Sequence, residues 1–191
     1  TSILESSRVD MEFQKKLGEG LHYGRVEVAL APAKRGAGNQ FNIIPQLSDE
    51  MHESVMLGLK EACLADPVWG YEVVDIAVQV QKVVVDDKTT SQGLKIAAQM
   101  AVQDALKKAG PVMLEPVMEL EVMVPEEYVG DVVGDLSARK AGIEGVVIKG
   151  KDHVIKAFVA LSKTFGYSTQ LRSLSRGRGS FTMRFFRYDR T

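Results

Sequence analysis

The residues best suited to chemistry are the cations that crowd the C-terminal part of the chain. Between positions 161 and 191 only one residue, Asp189, is acidic, whereas seven are basic: Lys163, Arg172, Arg176, Arg178, Arg184, Arg187 and Arg190. Arginine forms bidentate pairs with phosphate and stacks on bases, so this local excess of positive charge favours an RNA backbone as partner. Over the whole sequence 24 basic residues face 25 acidic ones, so the overall charge points to no partner.

Three of these arginines, Arg172, Arg176 and Arg178, fall at a predicted helix end and in the glycine-rich turn that follows it. Exposed backbone N–H groups together with arginine side chains make a good phosphate site. We therefore predict RNA contacts here, with Lys163 nearby. The interleaved aromatic residues are interpreted as core, because Phe181, Met183 and Phe185 alternate as the buried face of a strand does.

Several other chemistries are not indicated by the sequence. No G-x-x-x-x-G-K-[ST] pattern occurs, so the chain is not expected to hydrolyse GTP by itself. His22, His52 and His153 are dispersed and there is no second cysteine, which argues against a zinc site. The acidic pairs at 86–87 and 126–127 are explained by a turn and a helix start. We predict no catalytic residues, no bound metal and no cofactor in this chain.

Composition indicates a soluble globular protein, with 45% hydrophobic and 26% charged residues. The single cysteine, Cys63, lies in an apolar run, so we expect a buried, inert thiol and a reducing compartment. No apolar run approaches the roughly 20 residues of a membrane span, so no membrane partner is expected. The chain begins at Thr1 rather than Met, which we interpret as a piece of a longer protein.

Hydrophobic spacing in the first half predicts strands and helices in alternation. Val26, Val28 and Leu30 alternate as in a strand. Ser48 and Ser91 are the expected N-caps of two helices. The predicted elements are strands Gly24–Ala31, Phe41–Ile44 and Tyr71–Val85, a helix between Ser48 and Pro67, and a helix from Ser91 to Gly110.

The second half predicts a β-α-β-β-α-β order, which is the ferredoxin-like arrangement. The pair Gly110–Pro111 marks the predicted boundary between a domain of residues 1–110 and one of residues 111–191. The predicted elements are strand Val117–Val124, a helix from Pro125, strands Gly145–Lys149 and Val154–Ala160, helix Ser162–Leu174 and strand Ser180–Tyr188. The predicted fold class is therefore α+β with two domains.

The second half closely resembles the fifth domain of elongation factor G. The matching segments are Leu114–Met118, Val124–Glu127, Gly130–Leu136, Phe165–Leu174 and Arg176–Met183. The first half is similar, more loosely, to the fourth domain of the same family, which implies an S5 domain 2-like α/β fold. Its matching segments are Gly18–Gly24, Arg25–Val28, Gly70–Asp75, Lys95–Ala98 and Ala105–Ala109.

The resemblance implies a function in protein biosynthesis as part of a cytoplasmic, ribosome-binding elongation factor. The fourth domain would reach the decoding centre and displace tRNA and mRNA, and the fifth would contact RNA of the large subunit. The parent protein would be a GTPase that binds GTP and Mg²⁺ in its missing N-terminal G domain. This chain would couple GTP hydrolysis there to translocation.

The predicted tip of the fourth domain departs from the family pattern. The positions expected to lie at this RNA-facing tip are Gly20, His22, Val85, Asp86 and Lys88. The family usually carries an arginine where this chain has Gly20, and a histidine where it has Val85. Glycine and valine cannot bond RNA through their side chains, so the change is either tolerated drift or the mark of a specialised paralogue.

Four alternatives to a translocase stay open at this point. The parent could be a recycling-specialised paralogue or a tetracycline-protection protein, which share the architecture. A free-standing RRM-type module is more distant: Arg178–Phe185 resembles the RNP1 pattern, but RNP1 belongs on an interior strand and this segment is the last one. A metabolic enzyme on a ferredoxin-like scaffold would need a catalytic constellation, and the sequence offers none.

Overall fold

Two separate hydrophobic cores divide the chain into two units. The computed structural model describes residues 1–18 and 20–190. The first unit is Thr1–Met113 and the second begins at Leu114. The sequence placed the division between Gly110 and Pro111; in the structure the first unit reaches Met113, because a short strand after Gly110 pairs with the start of the chain. Within the described part, no helix combines the length and apolar character needed to cross a membrane.

The first unit packs two helices against a four-stranded mixed sheet. Its elements are β1 Ser2–Ile3, β2 Ser7–Leu17, β3 Gly20–Pro32, β4 Gln40–Ile43, α1 Asp49–Ala62, β5 Ile76–Val84, α2 Ser91–Lys108 and β6 Pro111–Val112. The main sheet has the order β2-β3-β5-β4, with β4 parallel to β5 and the other neighbours antiparallel. The alternating residues Val26, Val28 and Leu30 are buried in the core with both helices, as their spacing predicted.

Local sequence explains where the two helices of this unit begin. The Ser48 hydroxyl accepts a hydrogen bond from the Met51 N–H at 3.4 Å, so the predicted cap of α1 is confirmed. The cap of α2 is Thr90 rather than Ser91, since the Thr90 hydroxyl accepts from the Gly93 N–H at 3.0 Å. Cys63 follows α1 in the core, where burial raises the pKa of its thiol to about 12, as expected of an inert cysteine.

Strand β5 is shorter than predicted, because two carboxylates organise the residues before it into a loop. Asp66 accepts three backbone hydrogen bonds at 2.8–2.9 Å, from Val68, Trp69 and Tyr71. Asp75 has a φ of 60° and accepts from the N–H groups of Gly36 and Gly38. The predicted strand Tyr71–Val85 therefore starts only at Ile76. Strand β2, in turn, lies in a segment for which the sequence predicted no element.

The second unit has the predicted ferredoxin-like topology. Its elements are β7 Glu115–Pro125, α3 Val129–Ala138, β8 Gly142–Lys149, β9 Asp152–Ala160, α4 Tyr167–Leu174 and β10 Ser180–Asp189. The sheet order is β10-β7-β9-β8 and all its pairs are antiparallel. Inward-facing residues of β7 and β9 form the core with both helices. The α+β class with two domains is thus confirmed.

Two predictions for the second unit are corrected. The helix expected over Ser162–Leu174 is a 3-10 turn at Leu161–Lys163 followed by α4, because Gly166 adopts a φ of 73° between them. Of the alternating residues of β10, Phe181 packs on the core, but Met183 and Phe185 are 42% and 54% exposed. The aromatic residues Phe186 and Tyr188 are also exposed, by 44% and 47%. The prediction that they are core residues is wrong because β10 is an edge strand, while the core strands are β7 and β9.

Candidate nucleic-acid interface

The C-terminal end of α4 presents arginines on a tightly closed turn. The Gly177 N–H donates to the Arg172 carbonyl at 2.8 Å and the Arg176 N–H donates to the Ser173 carbonyl at 3.3 Å. This pair of bonds is the Schellman motif, whose left-handed position is usually glycine. Here it is Arg176, with a φ of 50°. An exposed arginine thus occupies a position where the backbone favours glycine.

Lys163, Arg172 and Arg176 are all exposed, and none of them pairs with an acidic side chain of the described residues. Arg172 also lies in the last turn of α4, where the helix dipole favours a cation. A cation without a protein carboxylate keeps its full charge for a phosphate. These three of the predicted site residues are therefore available for RNA contacts in the second unit.

Arg178 differs from its neighbours, because partners within the second unit already hold it. Its guanidinium pairs with the Glu127 carboxylate and donates to the Tyr128 hydroxyl at 2.6 Å. It also lies 5.1 Å from the centre of the Tyr128 ring. Any phosphate at Arg178 would have to compete with Glu127. Its predicted RNA contact stays a prediction.

The backbone part of the predicted phosphate site is wrong. The N–H groups of residues 176 to 178 all donate to carbonyls of the turn or of α4. The Gly179 N–H donates to the Ser175 hydroxyl at 2.8 Å, and that hydroxyl donates to the Leu171 carbonyl at 2.7 Å. Because these donors are used internally, an anion at this turn would be bound by arginine side chains alone.

Sequence reasoning missed Arg139, which fixes the segment before α4. Its guanidinium pairs with Asp135 at 2.8 Å and donates to the Lys163 and Phe165 carbonyls at 2.8 and 3.3 Å. It also lies 5.2 Å from the centre of the buried Tyr167 ring. Arg139 thereby positions the backbone that carries Lys163 and Phe165, the latter 77% exposed. The only sequence signal for this role of Arg139 was its i,i+4 spacing from Asp135, which is the spacing of an ion pair on a helix.

In the first unit, the structure brings the predicted tip residues together from the start of β3 and from the loop of residues 85–90. His22, near the start of β3, lies with its Nδ1 at 3.2 Å from the Thr90 hydroxyl. The Thr90 N–H donates to the Tyr23 carbonyl at 3.0 Å. Gly20 and His22 therefore lie at the same end of the sheet as the 85–90 loop. Glu19 lies outside the described residues.

The 85–90 loop itself is ordered by Asp86. Its carboxylate accepts from the Lys88 N–H and the Thr89 hydroxyl, both at 3.0 Å. The carboxylate of Asp86 thus stabilises the loop. The side chains of Val85 and Lys88, in contrast, are exposed to solvent. Two more exposed cations, Lys15 and Lys16, pair across the hairpin with His22 and Leu21. The sequence did not single them out, because the strand that carries them was not predicted.

Two facing glycines fix how α2 approaches this tip. A Cβ on Gly24 would lie 2.4 Å from the Gly93 carbonyl carbon, and one on Gly93 would lie 2.2 Å from the Tyr23 oxygen. Real side chains never approach backbone so closely, so both positions require glycine. This close contact places the N-terminus of α2 directly on β3 and sets the position of the 85–90 loop.

The open face of the second sheet argues against single-stranded RNA binding of the RRM kind. The RNP1-like segment lies on the edge strand β10. Glu119, on the face away from the helices, is ion-paired with Arg184 at 2.6 Å and with Lys156 at 3.0 Å. The hydrogen bond from Arg184, followed by that from Lys156, lowers the pKa of Glu119 to about 2. Because Glu119 already pairs with Arg184 and Lys156, a phosphate backbone on this face would have to compete with this carboxylate for both cations.

Comparison with known proteins accounts for both units. The family model of elongation factor G domain IV matches residues 2–110, and that of the elongation factor G C-terminus matches residues 112–191. The chain belongs to the elongation factor G family. An elongation factor G from Aquifex pyrophilus is 43% identical over 185 residues, and the match covers 93% of this chain and 26% of that protein.

A solved structure agrees with this membership. A crystal structure of a Thermus thermophilus protein has a TM-score of 0.85 and 30% identity, and the match covers 98% of this chain and 28% of that one. The chain therefore spans about a quarter of the length of the relatives that it matches, as expected for domain IV and the C-terminal domain of elongation factor G. Among the described residues there is no group of three or more metal-binding side chains.

Proposed function

We propose that this chain is the ribosome-contacting C-terminal part of a cytoplasmic translational GTPase of the elongation factor G family. GTP and Mg²⁺ would bind in a part of the longer protein outside this chain. The two domains would couple GTP hydrolysis there to movement of tRNA and mRNA. The observation that carries the proposal is the set of exposed cations on either side of α4, with Lys163 in the turn before it and Arg172 and Arg176 at its C-terminal end. None of the three has a carboxylate partner among the described residues.

Ribosome co-sedimentation at rising salt tests this proposal. Binding through arginine–phosphate contacts releases counterions, so the pelleted fraction of the chain should fall steeply as salt increases. Binding that does not respond to salt would contradict the assignment of the arginines as the contact. A failure to pellet at low salt would contradict ribosome binding itself.

Substitutions at the tip of domain IV would test a standard translocase against a specialised paralogue. The structure offers room for the residues that the family usually has here. A Cβ on Gly20 would meet only the His22 ring, at 3.4 Å or more, and Val85 is 53% exposed. Both Gly20→Arg and Val85→His can therefore be introduced without disturbing the core.

These two substitutions test the translocase function in the full-length protein. If the protein translocates with a weakened tip, the double variant should translocate faster, because its tip regains RNA-bonding side chains. Ribosome splitting by the same variant, measured in parallel, provides the control. Unchanged translocation together with altered splitting would favour the specialised paralogue over the translocase.

A further inference from the structure

The loop of residues 64–72 in domain IV exposes large apolar side chains on a rigid frame. Leu64, Val68, Trp69 and Tyr71 are 68%, 51%, 43% and 58% exposed. The three backbone hydrogen bonds to the Asp66 carboxylate hold the loop in one shape. Contiguous exposed apolar residues, tryptophan and tyrosine above all, mark protein–protein contacts. We refer to these four side chains as the apolar loop patch.

The start of the chain lies against the end of this loop in a strand-like manner. The Thr1 nitrogen donates to the Glu72 carbonyl at 2.7 Å, and the Val74 N–H donates to the Thr1 carbonyl at 2.9 Å. In a parallel ladder, one residue makes its two backbone hydrogen bonds to the residues on either side of its partner in the other strand. Thr1 is thus paired in parallel with Val73. This pairing sets the direction in which any residues before Thr1 would run.

Residues that precede Thr1 in the same direction would run beside Glu72, Tyr71 and Gly70. In a parallel ladder the next pair of hydrogen bonds would use the Glu72 N–H and the Gly70 carbonyl. Neither of these two groups has a hydrogen-bond partner among the described residues. The edge that would receive a continuing strand is therefore unpaired, and it lies within the apolar loop patch.

We propose that the apolar loop patch is an intramolecular docking surface for the segment immediately N-terminal to Thr1 in the longer protein. That segment would continue the parallel pairing along Gly70–Glu72 and cover Trp69 and Tyr71. The proposal rests on the chain being part of a longer protein, as its 26% coverage of the Aquifex pyrophilus relative supports. It does not depend on ribosome binding.

Fluorescence of Trp69, the single tryptophan of this chain, tests the proposal. The longer protein would be prepared with its other tryptophans replaced by phenylalanine, and compared with the chain that begins at Thr1. We expect Trp69 emission at shorter wavelength and several-fold weaker acrylamide quenching in the longer protein. The Glu72 amide should also exchange hydrogen several-fold more slowly there. Equal quenching and equal exchange in the two proteins would overturn the proposal.

Two controls identify the occupant. Replacing the residues just before Thr1 in the longer protein by a Gly-Ser stretch of equal length should expose Trp69 again; continued protection would show that another part covers it and would overturn the proposal. Quenching of the Thr1 chain should not depend on protein concentration, since a dependence would make a second copy the occupant. Ribosome co-sedimentation of the same samples separates this outcome from a failure of the proposed function.

Discussion

At the scale of single residues, Arg176 is where function and stability are most clearly opposed. It occupies the left-handed position that ends α4, with a φ of 50°. A side chain there costs roughly 1–2 kcal/mol relative to glycine, because its Cβ crowds the following carbonyl. If only the stability of the domain mattered, glycine would be favoured at this position. The arginine is therefore better explained by a partner than by the fold.

Substituting Arg176→Gly should separate these two effects. We expect the free energy of unfolding to rise by about 1 kcal/mol, since glycine adopts the left-handed region without strain. Ribosome binding should weaken at the same time, because one unpaired cation is lost. Urea unfolding and co-sedimentation measure the two quantities. A variant that is less stable, or that binds as well as the original, would contradict this account of Arg176.

Gly179 is required for a different reason than a left-handed backbone angle. The neighbouring atoms leave no space for a side chain at this position. A Cβ there would lie 2.7 Å from the Ser175 hydroxyl oxygen and 3.0 Å from a Val124 methyl carbon. Gly179→Ala should therefore destabilise the domain by about 1–3 kcal/mol through overpacking, measured by urea unfolding. Gly134→Ala on α3 is the matched control: it has open space and should stabilise by about 0.5–1 kcal/mol. Equal effects of the two substitutions would refute the packing argument.

At the scale of elements, the edge strand β10 is attached to β7 partly by charge. Arg184 lies directly opposite Glu119 in the register and pairs with it, and Lys156 reaches the same carboxylate from β9. Because the folded state lowers the pKa of Glu119, this stabilisation is present above the usual pKa of 4.5 and is lost as the pH falls toward about 2.

Glu119→Gln tests this attachment through its pH dependence. The variant should be less stable than the original at about pH 7, where Glu119 is ionised and its two cations are paired. The difference should shrink as the pH falls from 4.5 to about 2, since the original loses the same charge. Unfolding free energies measured across this range decide the matter. A difference that does not vary with pH would show that charge contributes nothing here.

Sequence predicted the elements whose signals are local, and missed what depends on distant partners. The cap at Ser48 and the alternation of Val26, Val28 and Leu30 were sufficient for α1 and β3. The exposure of Met183 was not predictable from alternation, because an edge strand alternates as an interior one does. Arg178 is held by Glu127 and Tyr128, and a partner about fifty positions away cannot be found from spacing.

At the scale of the whole molecule, the chain combines two domains that each present a basic surface at a loop end. In domain IV the surface contains Lys15, Lys16 and Lys88 beside His22. In the C-terminal domain it contains Arg172 and Arg176 at the C-terminal end of α4, while Lys163 lies in the turn before this helix. The family motifs identified both domains from the sequence. Which cations are unpaired, and hence available to RNA, could be read only from the structure.

The most direct test of the central claim is the salt dependence of ribosome binding by the double variant Arg172→Gln, Arg176→Gln. Each phosphate contact adds roughly 1 to the slope of log affinity against log salt, so the double variant should lower that slope by about 2. The control is Arg187→Gln, whose charge is already paired with Asp189 at 2.7 Å and whose loss should leave the slope nearly unchanged. The same slope for the double variant and the original chain would contradict the claim that the end of α4 contacts ribosomal RNA.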